Sequence, residues 1–239
     1  MGQHFLTSEK ALLAIVKAAD LHPNDIVLEV GPGKGVLTKK LVEQVKKVIA
    51  IEKDARFVKL LKSQFQDAAN LEIREGDILR DDDIFEKDYK LVANIPYYLT
   101  SNLIKKFLHG KGTMATLLIQ KEVAERIVAQ PPHMSVLALS VQAFAKARTR
   151  GKVSRNSFRP APQVDSAIIV LEKKEKSFFE EYNISEEIFF SLIKKAFAGK
   201  RKKLRNTIGI NSDRRPQELS LEEWARLLAR QAEIIRNRK

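Results

Sequence analysis

Residues 25–35 carry the sequence DIVLEVGPGKG, in which an apolar, β-branched run leads into a loop with three glycines. The run at 25–30 is typical of a buried strand, and the residues after Gly35 have the apolar spacing of a helix. Glycines at such a turn permit a tight backbone and let a ligand approach the N-terminus of the helix. The segment predicts a strand–loop–helix unit with a small-molecule site at the end of the strand.

Strand-like runs and amphipathic helical patterns alternate on both sides of this segment. Such alternation predicts an α/β fold, with a parallel, doubly wound sheet and helices on both of its faces. Two later runs, at 147–154 and 166–171, are predicted to complete the sheet as an antiparallel pair. The other predicted strands are 25–30, 45–51, 71–74, 90–94 and 113–119, and the predicted helices are 8–20, 36–44, 54–65, 101–108 and 122–129.

The pattern changes near residue 175, after which no strand-like run occurs. Helical patterns occupy 185–197, 200–207 and 220–236, and Ser220 with Glu223 matches a capping box at the start of the last helix. We therefore predict a first domain at 1–175 and a small all-helical domain at 176–239.

The basic charge is concentrated at the carboxyl end of the chain. The 239 residues include 43 Lys and Arg against 30 Asp and Glu, a net charge of +13. Residues 1–145 hold 20 basic and 18 acidic side chains (+2), whereas residues 146–239 hold 23 and 12 (+11). This asymmetry indicates a polyanionic partner, either nucleic acid or an anionic membrane, with a solubilising lysine surface as the alternative.

Composition excludes several classes of site. The chain contains no cysteine, so disulfides, thiolate metal sites and cysteine nucleophiles are excluded, and its four histidines are too far apart to predict a metal site. Apolar runs are too short for a transmembrane span, and the N-terminus lacks a signal-peptide pattern. We expect a cytoplasmic protein.

Acidic residues at successive strand ends indicate a nucleotide-like cofactor. Glu52 follows the second strand, where a carboxylate can accept from ribose hydroxyls, and Asp77 follows the third, near an adenine edge. The glycine loop has the spacing G-x-G-x-G instead of the dinucleotide pattern G-x-G-x-x-G, and acidic Glu29 precedes it. An acid there disfavours a pyrophosphate and suits the ammonium and sulfonium of S-adenosylmethionine. A tight turn without a ligand is the alternative.

The tetrapeptide Asn94-Ile95-Pro96-Tyr97 ends the fourth strand. The exocyclic N6 of adenine is a poor nucleophile, and acceptors at the Asn94 side chain and the Ile95 carbonyl would favour a more pyramidal nitrogen. Pro96 fixes the backbone and has no N–H, while Tyr97 provides a flat face for an unstacked base. An ordinary strand end with a turn proline is the alternative.

Together with other segments, these motifs resemble the small-subunit ribosomal RNA adenine dimethyltransferases, the kasugamycin-resistance enzymes. Two positions depart from the family pattern, since His4 and Tyr98 stand where Asn is common. The segments that carry the resemblance are GQHFL at 2–6, EVGPGKG at 29–35, NIPY at 94–97, QKEV at 120–123, FRPAPQVDS at 158–166 and the run from Phe197 to Asn206.

The resemblance implies a Rossmann-like class I methyltransferase fold. It implies N6-dimethylation of two adjacent adenines in a hairpin loop near the 3′ end of small-subunit (16S) rRNA, with S-adenosylmethionine as cofactor and a role in small-subunit biogenesis. By this resemblance and the loop pattern, the cofactor-binding residues are His4, Leu6, Gly31, Gly33, Glu52, Asp77 and Asn94. The catalytic residues are Asn94, Ile95, Pro96, Tyr97 and Phe158, where Phe158 either covers the second face of the base or anchors a proline turn.

A basic cluster in the second domain is predicted to bind RNA phosphates, with a solvated helix face as the alternative. We expect small-subunit rRNA or its precursor as the partner, no membrane and no metal, and a monomer. The cluster consists of Lys194, Lys195, Lys200, Arg201, Lys202, Lys203 and Arg205.

Three other functions share some of these features. A macrolide-resistance-type enzyme, which modifies one adenine of large-subunit (23S) rRNA, has the same core motifs, and the segment 197–206 and the VDSA run favour the small-subunit enzyme over it. A non-catalytic ribosome-assembly factor would not need intact Glu52, Asp77 and Asn94–Tyr97. A DNA adenine methyltransferase shares the tetrapeptide but not the resemblance of the carboxyl-terminal region.

Overall fold

The computed structural model describes residues 4–80, 88–199 and 201–236, with backbone only for 230–236. The described residues form two compact units. The first contains the residues up to Ala124 together with Ala147–Lys173, and the second contains Glu125–Lys146 and the residues from Lys174 onward.

The first unit is built on a seven-stranded sheet. A separate two-stranded sheet pairs the N-terminal segment with residues 158–159. The strands in chain order are β1 (Phe5–Leu6), β2 (Ile26–Val30), β3 (Lys47–Glu52), β4 (Leu71–Glu75), β5 (Tyr89–Asn94), β6 (Gly112–Gln120), β7 (Ala145–Val153), β8 (Phe158–Arg159) and β9 (Ser166–Lys173).

The order of the large sheet is β4-β3-β2-β5-β6-β9-β7. Neighbours from β4 to β6 are parallel, and β9 is antiparallel to β6. The chain winds outward from β2 to β4 and then returns to β5 on the other side of β2. This arrangement confirms the doubly wound α/β fold and creates a crevice at the carboxyl ends of β2 and β5, where open sheets bind ligands.

The helices agree with most of the predicted positions. Those within the described residues are α1 (Glu9–Ala18), α2 (Val36–Val42), α3 (Ala55–Gln64), α4 (Thr100–His109), α5 (Lys121–Ile127), α6 (Val136–Gln142), α7 (Phe178–Tyr182), α8 (Glu186–Ala198) and α9 (Leu221–Arg236). None of them is both long and apolar enough to span a bilayer.

Local sequence explains where the helices beside the cofactor loop begin. The Ser8 hydroxyl accepts from the Ala11 N–H and caps α1, and Asp54 caps α3 by accepting from the Arg56 N–H at 2.9 Å. Gly35 precedes α2 with φ of +75°, and a Cβ there would lie 2.7 Å from the Phe65 ring. Only glycine suits this position, because both its backbone angle and its surroundings exclude a side chain.

One apolar core joins the sheet to the helix of the N-terminal segment. The inner face of α1, with Leu12 and Ile15, packs with the buried strand residues Val27 and Val48. Burying a side chain of this size stabilises a fold by about 1.5–3 kcal/mol. The cluster also contains Phe158.

From Lys174 onward, the described residues of the second unit form helices, turns and loops and no strand, in agreement with the predicted helical character. Its core contains a set of aromatic rings, in which the centroids of Phe178 and Phe189 are 5.2 Å apart and Phe189 contacts Trp224 edge-on at 6.4 Å. The capping box is present, since the Ser220 N–H donates to Glu223 Oε2 at 2.8 Å and the Glu223 N–H donates to Ser220 Oγ at 3.3 Å.

The second unit contains one segment that the predicted boundary at residue 175 assigned to the first domain. Glu125–Lys146, which includes α6, lies in this unit. The Phe178 N–H donates to the Ala143 carbonyl at 2.7 Å, the Lys174 N–H to Phe144 at 2.9 Å, and the Met134 N–H to Gln217 at 3.0 Å. These bonds tie the segment to residues far along the chain, which sequence periodicity does not show.

The helix predicted at 200–207 is wrong. The described residues contain one 3₁₀ turn there, Leu204–Asn206. The backbone N–H groups of Leu204 and Arg205 donate to the carbonyls of Arg214 and Ser212. These donors therefore pair across a loop, whereas in an α-helix they would bond four residues back.

Candidate active site

A cavity of about 1020 Å³ lies at the carboxyl ends of β2, β3 and β5 in the first unit. Polar side chains and the glycine loop line one part of it, and aromatic rings line another. Every residue that the sequence predicted as catalytic or cofactor-binding lines this cavity, namely His4, Leu6, Gly31, Gly33, Glu52, Asp77, Asn94, Ile95, Pro96, Tyr97 and Phe158.

The glycine loop is held against the end of β3. Gly31 and Gly33 have φ of +69° and +56°, in the left-handed region that glycine adopts without strain. The Gly31 N–H donates to the Ile51 carbonyl at 2.9 Å, and the Gly33 N–H donates to Glu52 Oε2 at 3.1 Å. The loop and the carboxylate therefore form one rigid wall of the cavity.

Glu52 is buried, and both of its carboxylate oxygens accept backbone hydrogen bonds. Besides the bond from Gly33, its Oε1 accepts from the Asp54 N–H at 2.9 Å. A carboxylate oxygen has two lone pairs, so each can accept a further bond from a ligand hydroxyl. Its two bonds leave the carboxylate oriented toward the cavity that it lines.

Asp77 is paired with a lysine that sequence reasoning did not identify. Its Oδ2 accepts from Lys53 Nζ at 2.9 Å, and its Oδ1 accepts from the Leu79 N–H at 3.1 Å. The hydrogen bond from Lys53 lowers the pKa of the Asp77 carboxyl, so this group is ionised at neutral pH. Lys53 also lines the cavity.

Glu29 is a second site residue missing from the predicted set. It lies in β2 with 1% of its surface exposed, and its Oε2 has no hydrogen-bond partner among the described residues. Burial raises the pKa of this carboxyl to about 8, the charge of Glu52 adds to the shift, and Thr38 opposes it. The sequence analysis used the charge of Glu29 to choose the cofactor but did not include the residue among the predicted binding residues.

The tetrapeptide turns sharply at the end of β5. Asn94 is the last residue of the strand, Ile95 is buried, and a 3₁₀ turn at Tyr97–Leu99 follows Pro96. The Leu99 N–H donates to the Pro96 carbonyl at 2.9 Å and closes this turn. The turn brings Asn94 and the Tyr97 ring to the same cavity.

Tyr97 is held by two neighbours. Its hydroxyl lies 2.8 Å from Ser166 Oγ, and its ring centroid is 6.4 Å from that of His4, with 30° between the planes. His4 Nδ1 donates to the Pro160 carbonyl at 2.7 Å. Ser166 is absent from the predicted site residues, because only the tertiary fold brings it to Tyr97.

Phe158 reaches the cavity from the small sheet. It pairs with Leu6, as Arg159 pairs with Phe5, which places the N-terminal segment beside it. Phe158 is 2% exposed and belongs to the apolar core, while it also lines the cavity. Its part as an anchor is therefore visible, and its contact with a base stays a prediction.

The predicted RNA-binding cluster lies in the second unit and is partly neutralised. Lys194 and Lys195 on α8 are exposed, as are Arg201 and Lys202. Asp213, from outside the cluster, accepts from Lys203 at 3.2 Å and pairs with Arg205 at 2.7 Å. Lys200 lies outside the described residues, as do Gly2 and Gln3 of the N-terminal motif.

The part of the chain that the structure describes contains no group of three His, Asp or Glu side chains arranged to hold a metal ion.

The sequence is similar to known proteins over most of its length. The family model described as "Ribosomal RNA adenine dimethylase" matches residues 1–231. A protein of Prochlorococcus marinus (strain NATL1A) named ribosomal RNA small subunit methyltransferase A is 41% identical, over 93% of this chain and 87% of its own length. A protein of the same name from Dehalococcoides mccartyi (strain CBDB1) is 38% identical, over 95% and 86%.

Two solved structures have the same fold. A dimethyladenosine transferase from Plasmodium falciparum has a TM-score of 0.83 at 30% identity and covers 96% of this chain and 98% of its own. The 23S rRNA methyltransferase ErmE has a TM-score of 0.81 at 26% identity and covers 95% and 98%. With the family match over nearly the whole sequence, these similarities show that the chain belongs to the ribosomal RNA adenine dimethylase family.

Proposed function

We propose that this protein dimethylates N6 of two adjacent adenines in a hairpin loop near the 3′ end of small-subunit rRNA, with S-adenosylmethionine as the methyl donor. One observation carries the proposal. The cofactor motifs and the tetrapeptide Asn94–Tyr97, which lie far apart in sequence, line a single cavity. A cavity at the switch point of a doubly wound sheet is the usual ligand site of this fold.

The cavity walls fit S-adenosylmethionine. The unpartnered Oε2 of Glu29 suits an ammonium group, because a buried carboxyl oxygen without a partner is stabilised by a cation. Glu52 can accept from ribose hydroxyls, Asp77 from the adenine amino group, and the positive φ of Gly31 and Gly33 allows close backbone approach. Asn94 and the backbones of His4 and Leu6 would complete the site. When bound, the cofactor supplies a methyl group activated by a sulfonium.

The tetrapeptide would prepare the target nitrogen. In the first transfer, the side-chain oxygen of Asn94 and the carbonyl of Ile95 would accept hydrogen bonds from the two N–H groups of N6. N6 loses one proton as it is methylated, so in the second transfer one of these acceptors would hold the remaining N–H. Such bonds favour a pyramidal nitrogen with its lone pair directed toward the methyl group, and preorganised groups of this kind act mainly on the transition state. Pro96 holds the turn, since its φ is restricted and it has no N–H to compete.

Aromatic rings would receive the base after it leaves its stack. Tyr97 offers a face that lines the cavity, and the Ser166 hydroxyl holds the edge of its ring. Stacking on such a ring contributes about 1–3 kcal/mol per base. Phe158 is the proposed second contact, from the core side of the cavity.

The second unit would supply much of the affinity for the ribosomal subunit. Lys194, Lys195, Arg201 and Lys202 are exposed, and phosphate contacts from such side chains give binding that weakens steeply with salt. A small-subunit particle or its precursor as the partner, a monomeric enzyme, a cytoplasmic location and a role in subunit biogenesis belong to the same proposal.

Similarity to ErmE keeps methylation of 23S rRNA as the second candidate. The fold does not separate the two substrates, because ErmE and the dimethyladenosine transferase have nearly equal TM-scores. The names of the curated relatives, at up to 41% identity, favour the small subunit.

The test is to incubate the protein with labelled S-adenosylmethionine and undermethylated small or large ribosomal subunits, and to map the modified nucleotides. We expect label in two adjacent adenines of small-subunit rRNA. Label confined to large-subunit RNA would overturn the substrate assignment. Tight binding of subunits without any methylation would favour a non-catalytic assembly factor.

A further inference from the structure

The edge strand β7 and the turn after it carry a concentration of basic residues outside the predicted RNA-binding cluster. Residues 146–159 contain six Lys or Arg and no Asp or Glu. Residues 146–175 therefore carry a net charge of +5, nearly half of the +11 of the carboxyl-terminal part, before the second predicted domain begins.

Three of these side chains form a regular row. Arg148, Arg150 and Lys152 occupy alternate positions of β7, so they project from the same face of the strand, about 6.6 Å apart. All three are exposed, and β7 is the last strand of the seven-stranded sheet. We call Arg148, Arg150 and Lys152 the β7 row.

The β7 row is largely free of ion pairs. Lys152 pairs with Asp165 at 3.0 Å. Arg148 and Arg150 form no salt bridge with any residue in the described ranges 4–80, 88–199 and 201–236. Two unpaired guanidinium groups on one strand repel each other, and this repulsion is relieved when an anion binds across them.

The chain continues from the β7 row directly to the cavity. A 3₁₀ turn at Arg155–Ser157 follows β7, and the next residue, Phe158, lines the cavity. Arg155 and Arg159 on this connection are exposed. A strand of RNA that reaches the cavity at Phe158 would therefore meet a further series of cations along β7.

We propose that the β7 row binds the phosphodiester backbone of the RNA strand whose adenine enters the cavity. This inference rests on the proposed function. Guanidinium groups bind phosphate with two parallel hydrogen bonds, and a groove or stripe of cations follows a single-stranded backbone without reading its sequence. The row would thus hold the strand beside the target base, separately from the cluster of the second unit.

Protection of a sheet edge is the competing explanation for charges on β7, because lysine and arginine there prevent pairing with another chain. The two explanations differ in what they predict. Edge protection makes solubility depend on the row, whereas phosphate binding makes the salt dependence of RNA affinity depend on it.

The test compares Arg148→Ala/Arg150→Ala with Lys59→Ala/Lys62→Ala, which removes two exposed charges from α3 of the same unit. Affinity for undermethylated small subunits is measured over a series of KCl concentrations. We expect the β7 variant to bind more weakly and its log–log salt slope to fall by about 1.4, from about 0.7 per lost phosphate contact. The α3 variant and Arg148→Lys/Arg150→Lys should keep the wild-type slope.

The proposal would be overturned if the salt slope of Arg148→Ala/Arg150→Ala equalled that of the α3 variant. It would also be overturned if the β7 variant aggregated more than wild-type protein but bound the subunit with unchanged affinity and slope. Cofactor affinity, measured by calorimetry, should be the same in all variants, which excludes general misfolding. The readout is binding and needs no methyl transfer. A result against the β7 row is therefore distinguishable from a result against the proposed function. In the second case the wild-type protein would methylate no adenine of the small subunit.

Discussion

The hydroxyl of Tyr97 lies 2.8 Å from Oγ of Ser166, the fully buried first residue of β9. Ser166 pairs with Gln120 at the end of β6, so the bond connects the turn after β5 to the antiparallel part of the sheet. It fixes the edge of the ring that we propose as the stacking face for the adenine. The geometry therefore assigns the ring two separable properties, a π-face and an anchored edge.

Substitutions that remove the π-face of Tyr97 should reduce methylation much more than substitutions that remove only its hydrogen bond to Ser166. Tyr97→Ala removes the stacking face and should cause a large loss of single-turnover methylation. Tyr97→Phe and Ser166→Ala should each remain active, with a loss of only about two- to tenfold, since a neutral hydrogen bond contributes about 0.5–1.5 kcal/mol.

The double variant Tyr97→Phe/Ser166→Ala serves as the control for this bond. Because both single changes remove the same interaction, the double change should cost little more than either one. An inactive Tyr97→Phe enzyme would contradict the stacking role and indicate a direct role for the hydroxyl.

Glu52→Ala should weaken S-adenosylmethionine binding by about ten- to a hundredfold, because a hydrogen bond to a charged group contributes about 1.5–3 kcal/mol. It also removes the acceptor for the N–H groups of Gly33 and Asp54, which loosens the glycine loop. Calorimetry measures the affinity, and Glu52→Gln, which keeps one acceptor oxygen, should lose less. Wild-type affinity in Glu52→Ala, or tighter binding of a nicotinamide dinucleotide by the native protein, would refute the cofactor assignment.

Glu29 should make the stability of the protein decrease with pH. Because the folded state raises its pKa from 4.5 to about 8, it binds the proton more tightly than the unfolded state does. The contribution of this proton to the free energy of unfolding is therefore complete below pH 4.5. It is lost as the pH rises toward 8, by about 1.4 kcal/mol per pH unit.

Urea unfolding of wild-type protein and Glu29→Gln at pH 5, 7 and 8 measures this effect. The uncharged amide cannot titrate, so the difference between the two free energies of unfolding should move in favour of Glu29→Gln as the pH rises. Two curves that stay parallel over this range would show that the Glu29 carboxyl titrates in its ordinary range.

Charges in the RNA-binding cluster should contribute unequally to subunit binding. Replacing Arg201, Lys202 and Lys203 together by Glu should weaken binding and flatten its salt dependence without changing cofactor affinity. Asp213 already pairs with Lys203 and Arg205, so Arg201→Ala/Lys202→Ala should reduce the slope more than Lys203→Ala/Arg205→Ala. Equal salt slopes for wild-type protein and the triple Glu variant would show that the cluster is a solvated helix face that does not bind RNA phosphates.

Local patterns were sufficient to predict the part of the fold that forms the site. The apolar runs that end at Val30, Glu52 and Asn94 become parallel neighbours, and parallel strands place their carboxyl ends at one edge. For this reason the cofactor and catalytic residues predicted at these strand ends line a common cavity.

Contacts between distant residues were not predictable in the same way. Ser166 and Tyr97 are 69 positions apart, and only the pairing of β9 with β6 brings them together. Asp213 likewise reaches Lys203 across a loop, which replaces the helix predicted at 200–207. Both differences from the prediction have one cause. The backbone N–H groups of Leu204 and Arg205 bond to residues 214 and 212, which prevents a helix and brings Asp213 close to Lys203.

Asn94→Ala tests the central claim most directly, namely that the strand-end tetrapeptide prepares an adenine amino group for methylation. Single-turnover transfer to saturating undermethylated small subunits is measured, and the modified nucleotides are mapped. We predict two adjacent N6-dimethylated adenines with wild-type protein and a loss of about 10²–10³-fold in the rate with Asn94→Ala, since one preorganised acceptor is removed. Subunit binding should be unchanged. A near-normal rate for Asn94→Ala would contradict the mechanism.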